Sequence, residues 1–369
     1  MSSNAPRRPS CLGALTLLVL GSAPLAAQLP APAVSSPHPI HLAGYASVVF
    51  GYSPQNPSED RTAVPAATAA ILLSGTALPR LSYFGDFQAA SWTDENWTGQ
   101  REENNLNIAR LYAEYAFSDA LRLRLGRFLT PVGQWNEIFA EPLTWTVLRP
   151  LTTYRPFAKS TTGVLLAGTV PVHGHDAGYA AYFSPPDWSR EETGESGFVR
   201  AAGGRIAMEL RPGLVLGAST ARFRVSRPYQ PGDPEYAEGG LLPPDTIDSP
   251  AEEAREAEAE GRWLFGVDLS WDIGRLELLS EAVSLSRTAL RPGEHGGFLQ
   301  AAIRVVDPVH LVLRSEVYDP VYRSTVAVQT VGVTMRFFRH ATFKLERQFT
   351  DHPSERVRDG WFVSLSALF

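Results

Sequence analysis

Arginine side chains cluster around one segment of the chain and are its best candidates for binding a solute. Arg122 and Arg124 alternate with leucines, and Arg149 and Arg155 follow in a segment rich in proline and aromatic residues. Guanidinium groups bind carboxylates and phosphates through paired hydrogen bonds, so this grouping predicts a patch that attracts anions. The same region contains further charged residues of both signs: Arg110, Glu137, Glu141 and Lys159. Pairing between the glutamates and the arginines would neutralise the patch, and the sequence leaves both outcomes open.

A second cluster, His173-Gly174-His175-Asp176, has residue types that occur in metal and catalytic sites. Two histidines and one acid make a weak metal site when no third ligand converges on them. The nucleophile motif Gly-x-Ser-x-Gly of lipases and esterases does not occur in the sequence. We therefore predict that the chain is not an enzyme and has no catalytic residues, no metal site and no cofactor.

The segments that would position these residues alternate between apolar and polar side chains with a period of two. This is the pattern of β-strands with one face on each side of a sheet. Sixteen such segments follow one another, and the second is the least regular. Their predicted spans are 39–52, 63–75, 79–92, 104–117, 120–130, 161–172, 176–186, 197–210, 213–226, 261–273, 275–288, 296–306, 309–319, 325–337, 341–351 and 360–369.

The breaks between these segments alternate strictly between short and long. Ser118-Asp119 and Asp307-Pro308 are short breaks, whereas 131–160 and 227–260 are long. Short turns at one rim and long loops at the other are typical of an even-stranded transmembrane barrel. A soluble β-sandwich has no reason to sort its loops in this way, and no common repeat indicates a solenoid. The predicted fold class is all-β: one transmembrane antiparallel β-barrel domain over 28–369, with an inserted constriction loop.

The two faces of the predicted strands differ in polarity. Trp263, Phe265 and Val267 share one face of the segment 261–273, opposite Asp268. An apolar outer face and a polar inner face predict lipid outside and water inside. The predicted inward charges are nine cations and nine acids: Arg110, Arg122, Arg124, Arg205, Arg222, Arg304, Arg314, Arg336 and Lys344 against Asp86, Glu114, Glu209, Asp268, Asp272, Glu277, Glu281, Glu316 and Glu346. Aromatic residues near strand ends predict interfacial girdles: Tyr45, Tyr52, Trp92, Tyr115, Trp263 and Trp361.

Residues 1–27 have the layout of a cleaved signal peptide. Arg7 and Arg8 precede an apolar stretch that leads to Ala23-Pro24-Leu25-Ala26-Ala27. We predict export and cleavage near Ala27, which would remove Cys11, the only cysteine. The mature chain would carry no disulfide, and its net charge would move from −6 to −8 because two arginines and no acids are lost. No apolar run in it reaches the roughly 18 residues of a membrane helix, which excludes a helical membrane protein.

The break at 131–160 does not have the composition of a solvated surface loop. Its prolines and aromatic residues make it stiff and apolar, which indicates an ordered segment packed against a wall. A barrel of sixteen strands encloses an aqueous channel, so a segment folded inward would narrow it. The alternative is a loop folded over the outside for contact with another subunit. The first interpretation places the charged residues at the constriction or on the lumen wall: Arg149, Arg155, Glu137, Glu141, Arg110, Arg122, Arg124 and Lys159.

Two runs of residues resemble known bacterial proteins. The run 361–369 alternates between apolar and small polar residues and ends in Phe369. It resembles the terminal strand of outer-membrane barrels, in which the last aromatic residue is part of the signal for the assembly machinery. The run Leu125-Gly-Arg-Phe-Leu-Thr-Pro-Val-Gly133, ahead of a long insertion, resembles the phosphate-selective porin O and P family and its porin-like relatives.

The porin resemblance is specific across about residues 104–163. It implies a trimeric channel for anions, with an arginine ladder that leads to a constriction containing lysine. In the general porins, the loop at the position of 131–160 folds into the barrel and narrows it. This chain departs from the family pattern because it has only two lysines, Lys159 and Lys344.

Together these features predict a porin-like channel in the outer membrane of a Gram-negative-type bacterium, through which small hydrophilic solutes or ions diffuse passively. A preference for anions is one outcome of the charge pattern, and the alternative function is a plugged barrel with a structural or adhesive role. The predicted partners are outer-membrane lipid and lipopolysaccharide, the barrel-assembly machinery, small hydrophilic solutes or anions, and other copies of the chain in a homotrimer. A mildly acidic chain does not favour nucleic acid as a partner.

Overall fold

The computed structural model of the chain describes residues 40–52, 65–91, 105–138, 140–153, 156–185, 198–225, 261–287, 293–319, 325–337, 340–351 and 359–369. Sixteen strands form one closed antiparallel sheet, in which each strand pairs with its neighbours in sequence. The predicted signal peptide at 1–27, the segment 227–260 and the aromatic residue Trp92 lie outside the described residues. In the described part of the chain, no helix is long and apolar enough to cross a membrane.

The predicted fold class is confirmed, and the predicted strand ends lie within three residues of the observed ones. The largest difference is at the end of the second strand, which was predicted at residue 75 and lies at Leu78. The strands are β1 His41–Tyr52, β2 Pro65–Leu78, β3 Leu81–Ser91, β4 Asn105–Ser118, β5 Leu121–Leu129, β6 Ser160–Val172, β7 His175–Ser184, β8 Phe198–Arg211, β9 Leu214–Val225, β10 Arg262–Ile273, β11 Leu276–Arg287, β12 Glu294–Val306, β13 Val309–Asp319, β14 Val326–Phe337, β15 Ala341–Thr350 and β16 Gly360–Leu368. Two short 3-10 helices, Trp135–Glu137 and Leu151–Thr153, lie between β5 and β6.

The last strand closes the sheet on the first. β16 pairs with β1 in an antiparallel register that runs from Tyr45 opposite Leu368 to Tyr52 opposite Trp361. The ladder continues one residue further, where the Gly44 N–H donates to the Phe369 oxygen at 2.8 Å and the Phe369 N–H donates to the Gly44 oxygen at 2.9 Å. A closed sheet has no unpaired edge, so the backbone groups of the strands need no partner from lipid.

The outer face of the barrel is apolar, and the inward face combines polar and apolar side chains. Phe265, Val267 and Leu365 are more than half exposed, whereas Asp268 and Ser364 on the opposite face are buried. Four of the predicted girdle residues are exposed near the rims: Tyr52, Tyr115, Trp263 and Trp361. The alternation therefore separates a lipid-facing surface from a lumen.

Two predicted orientations are wrong. Tyr45 shares the buried inward face of β1 with Ser47 and is only 3% exposed, so it does not belong to a girdle. Arg222 was predicted to face the lumen, but its register partner is the outward-facing Trp263. The Arg222 guanidinium lies 5.2 Å from the centre of the Trp263 ring. At a strand end, a long cationic side chain can lie along apolar surface and keep its charge in water, so the outward position is tolerated.

An apolar cluster lines part of the lumen, which the sequence pattern did not predict. It is formed by residues of β4–β11 and includes the inward residues Phe128, Phe223 and Leu264. Val132 and Phe157, from the two ends of the segment between β5 and β6, pack into the same cluster. Burial of each large apolar side chain contributes about 1.5–3 kcal/mol, so the cluster fixes both ends of that segment inside the barrel.

We expect the Phe369→Asp variant to be exported but not inserted, because a carboxylate would replace the exposed aromatic ring at the end of the strand that closes the barrel. The Phe369 ring also covers Gly44, where an added Cβ would lie 2.5 Å from it. The measurement is the amount of heat-modifiable protein in the membrane fraction, with Phe369→Trp as a control that keeps an aromatic ring. Normal membrane levels of the Asp variant would contradict the predicted role of Phe369 in assembly.

Candidate functional site in the barrel lumen

We call residues 130–159, between β5 and β6, the insertion loop; its residues 139, 154 and 155 lie outside the described part of the chain. The two ends of the loop are held together at its neck. The Thr130 N–H donates to the Lys159 oxygen at 2.9 Å. The fully buried Asn136 amide donates to both the Thr130 oxygen at 2.8 Å and the Lys159 oxygen at 2.9 Å. The predicted site residue Lys159 therefore contributes its backbone to the neck.

Two glycines of the Gly-x-Phe-x-x-Pro-x-Gly element are required by the backbone path. Gly126 and Gly133 have φ values of 128° and 66°, a region that other residues rarely adopt. An added Cβ on Gly133 would lie 2.3 Å from a carboxylate oxygen of Glu281. This close approach lets the Glu281 carboxylate accept hydrogen bonds from the backbone N–H groups of Gln134, at 2.7 Å, and Trp135.

Three more acids, on the wall formed by β11, β13 and β15, also accept hydrogen bonds from the insertion loop. Glu346 on β15 accepts from the backbone N–H groups of Val147 at 2.7 Å and Leu148 at 3.0 Å. Glu316 on β13 accepts from the Leu151 N–H. Glu277 on β11 accepts from the indole N–H of Trp145 at 2.8 Å. Backbone N–H groups without regular secondary structure need such acceptors when they are buried.

Cations of the same wall bind the loop oxygens. The Lys344 ammonium, 1% exposed, donates to the Glu141 carboxylate at 2.9 Å, to the Thr144 hydroxyl at 2.8 Å and to the Thr146 oxygen at 3.2 Å. The Arg314 guanidinium donates to the Thr146 hydroxyl at 2.8 Å and to the Leu148 oxygen at 2.7 Å. The alternative of a loop folded over the outside of the barrel is therefore wrong, since these partners all face the lumen.

The wall nearest the start of the loop carries a different set of charges. Arg110 on β4 and Arg122 and Arg124 on β5 point inward, and we call them the arginine wall. Arg124 lies 2.7 Å from the Glu114 carboxylate, and Arg122 lies 4.0 Å from it. Arg110 lies 2.9 Å from Asp86 on β3.

Within the arginine wall, the cations are more accessible to water than the acids that they pair with. The side chains of Arg110, Arg122 and Arg124 are 21%, 12% and 15% exposed, whereas those of Asp86 and Glu114 are 0% and 8% exposed. Aromatic rings support two of the guanidinium groups: Arg124 lies 4.1 Å from the Tyr112 ring centre, and Arg110 lies 4.5 Å from that of Phe84. The acids lie beneath the arginines and hold them, so the accessible surface of this wall is cationic.

The predicted loop acids pair with residues that the sequence had not indicated as their partners. Glu137 lies 3.8 Å from Arg205 on β8, and Glu141 pairs with Lys344. Burial raises the pKa of Glu137 to about 7, although Arg205 lowers it. Within the loop, Arg149 donates to the Thr153 oxygen at 3.0 Å. Arg155 lies outside the described residues.

The histidine cluster forms a hairpin turn between β6 and β7. His173 and Gly174 have φ values of 51° and 85° and connect β6 to β7 at the short-turn rim. Positive φ at both central residues is the geometry of a type I′ turn. The residue types of this segment therefore serve a tight reversal of the chain.

Comparison with known proteins supports the architecture. The loop-deletion form of OmpT, an outer membrane protein of Vibrio cholerae, has a TM-score of 0.59 and 11% identity and covers 90% of this chain and 99% of that one. An anion-selective porin from Comamonas acidovorans has a TM-score of 0.57 and 13% identity, with coverage of 89% and 98%. OmpF of Salmonella typhi, solved with daunomycin, has a TM-score of 0.57 and 12% identity, with coverage of 89% and 97%.

This chain shares the fold of these outer-membrane barrels. At these identities the likeness extends to the fold alone. No family model and no curated protein matches the chain, so the resemblance to the phosphate-selective porin O and P family stays a prediction. In the barrel of this chain, the described part of the insertion loop runs across the lumen from β5 to the wall formed by β11 and β13–β16.

We expect Lys344→Met to lower the free energy of unfolding by roughly 1–3 kcal/mol, because buried loop oxygens lose their donor. Urea unfolding in lipid vesicles, followed by tryptophan fluorescence, measures the change. Arg304→Met is the matched control, since the Arg304 side chain is 43% exposed and its ion pair with Asp307 lies at the short-turn rim. Equal stability of the Lys344 and Arg304 variants would show that Lys344 does not hold the loop.

Proposed function

We propose that this chain is a porin-like channel of the outer membrane through which small hydrophilic solutes diffuse passively. The observation that carries the proposal is the insertion loop, which lies inside a closed sixteen-stranded barrel and is bound to one wall. A barrel of this size encloses an aqueous channel, and a segment bound to one side narrows that channel. The arginine wall then forms the accessible side of the constriction, opposite the strands that hold the loop.

The channel prefers anions in this proposal. The guanidinium groups of the arginine wall are its accessible members, and their acidic partners lie beneath them. Positive charge lining a constriction attracts anions and repels cations. The proposal also includes the predicted contributions of five loop residues to selectivity, namely Arg149, Arg155, Glu137, Glu141 and Lys159.

The remaining parts of the proposal concern location and assembly. The proposal includes an export signal at 1–27 and an assembly signal at Phe369. It also includes contact with outer-membrane lipid and the absence of enzyme activity. A homotrimer is supported by the trimer form in which OmpT of Vibrio cholerae was solved, a structure that covers 90% of this chain. The outward faces of β1–β3 carry exposed small residues, Ala46, Ala69 and Ala89, which offer a flat surface to a neighbouring subunit.

A plugged barrel is the second candidate, and the tight burial of the loop contacts favours it. Lys344, Glu346 and Arg314, which bind the loop, are each 1–2% exposed. A plug predicts no current across a planar bilayer, whereas a porin-like channel predicts stable single-channel steps. Single-channel recording of the purified protein therefore tests the proposed function directly.

Trimming the insertion loop between Asn136 and Tyr154 with a short Gly-Ser bridge should raise the single-channel conductance and admit larger sugars. The removed segment contains the residues that reach Glu346 and Lys344, while the barrel wall is unchanged. Conductance steps and sugar uptake into proteoliposomes measure the effect, and trimming residues 188–194 between β7 and β8 provides the control. Unchanged conductance after the first deletion would rule out the loop as the constriction.

Anion selectivity should fall as the pH rises through about 7, because burial raises the pKa of Glu137 to about 7. Below this pH the carboxyl is protonated and neutral; above it, a negative charge appears beside Arg205 and partly cancels the cationic lumen. Because burial raises this pKa in the folded state, the stability of the fold should also fall as the pH rises from about 4.5 to about 7. The change in selectivity is measured from reversal potentials in a salt gradient, with the pH of the buffer set to 5.5 and then to 8.5. Glu137→Gln should abolish the pH dependence, and a wild-type profile in that variant would assign it elsewhere.

A further inference from the structure

Three arginines project from the outer face of the barrel at the long-loop rim. Arg200 at the start of β8 and Arg224 at the end of β9 are register partners, directly opposite each other in the sheet. Arg222 lies two residues from Arg224 on the same face of β9, and all three side chains are exposed. We call these residues the rim arginines.

The rim arginines repel one another. Like charges directly opposite each other on adjacent strands destabilise a sheet. Among the described residues, no acid forms an ion pair with any of the three. Arg347 on β15 gives the contrast at the same rim, because it pairs with Asp359. An anion between the rim arginines would therefore remove an unfavourable interaction that no acid of the described residues compensates.

The surface below the rim arginines is the apolar band of the barrel. Ile206, Phe265 and Val267 are exposed there by 63%, 55% and 60%. Trp263 lies at the boundary: its ring stacks on Phe265 with a centroid distance of 6.2 Å, and Arg222 lies over it at 5.2 Å. Tryptophan marks the interface between hydrocarbon and head groups in membrane proteins. The three guanidinium groups therefore lie at head-group level, directly above acyl-chain level.

We propose that the rim arginines bind the phosphate groups of a phosphorylated glycolipid in the outer leaflet. Guanidinium groups bind phosphate oxygens through paired hydrogen bonds, and each basic residue near an anionic membrane surface adds to the attraction. The apolar band around Ile206 and Phe265 accepts the acyl chains of the same molecule, which a free phosphate ion would not use. The site rests on the proposed outer-membrane location, and it does not depend on whether the barrel conducts.

The test compares lipid binding by the refolded wild-type barrel and by the triple variant Arg200→Gln, Arg222→Gln, Arg224→Gln. Native mass spectrometry after incubation with bisphosphorylated lipid A measures the bound fraction, and heat modifiability verifies that each barrel is folded. Removal of three interfacial cations should weaken binding on the order of a hundredfold. Arg211→Gln is the matched control, because Arg211 is an exposed arginine of β8 at the opposite rim, over Trp271 at 4.4 Å.

Two further arms identify the bound group. Dephosphorylated lipid A should bind to the wild type as weakly as phosphorylated lipid A binds to the triple variant. Inorganic phosphate at equal concentration should not displace the lipid, because it lacks the acyl chains. Equal binding of both lipids, an unaffected triple variant or displacement by inorganic phosphate would each overturn the proposal. Absence of the protein from the outer-membrane fraction would instead contradict the proposed location, and absence of conductance would contradict only the channel.

Discussion

Closure of the sheet between β1 and β16 is the constraint on which the rest of the structure depends. In hydrocarbon, an unpaired backbone group costs several kcal/mol, so a spanning sheet must have no edge. The pairing of Gly44 with Phe369 extends that closure to the end of the ladder. Because the strands satisfy one another, the inward side chains are not needed to hold the wall together. They are available to bind a segment inside it.

The insertion loop is the segment that these inward side chains bind. Its described residues form only two short 3-10 helices, so most of its backbone groups need partners from elsewhere. The carboxylates of Glu281, Glu316 and Glu346 accept hydrogen bonds from its N–H groups. The Lys344 ammonium donates hydrogen bonds to its oxygens. A simple count of the inward-facing charges would relate these residues to ion selectivity. In the structure, they position the loop. On the wall nearest the start of the loop, the arginines are more accessible to water than the acids that they pair with.

The sequence predicted the strands well because lipid on one side and water on the other impose a strict period of two. The same pattern does not identify which residues are neighbours across the sheet. Arg222 was misplaced because both faces of β9 are mixed: the apolar Val215 and Phe223 face inward, while Arg222 faces outward beside Trp263. The bonds from Val147 to Glu346 and from Gln134 to Glu281 join residues 199 and 147 positions apart, and no local pattern records such contacts. The inserted loop was predicted from its composition. The role of Asn136 at its neck was not predicted, because nothing in the sequence distinguishes this asparagine from the others.

The wall that binds the insertion loop has a consequence for the order of folding. Glu346 and Lys344 belong to β15, the neighbour of the strand that completes the sheet, while the loop itself follows β5. Contacts between such distant parts of a chain form late, because a long stretch must be ordered before they gain anything. The loop has no complete binding surface until the C-terminal strands are in place. The loop can therefore reach its full set of partners only after the wall has been completed.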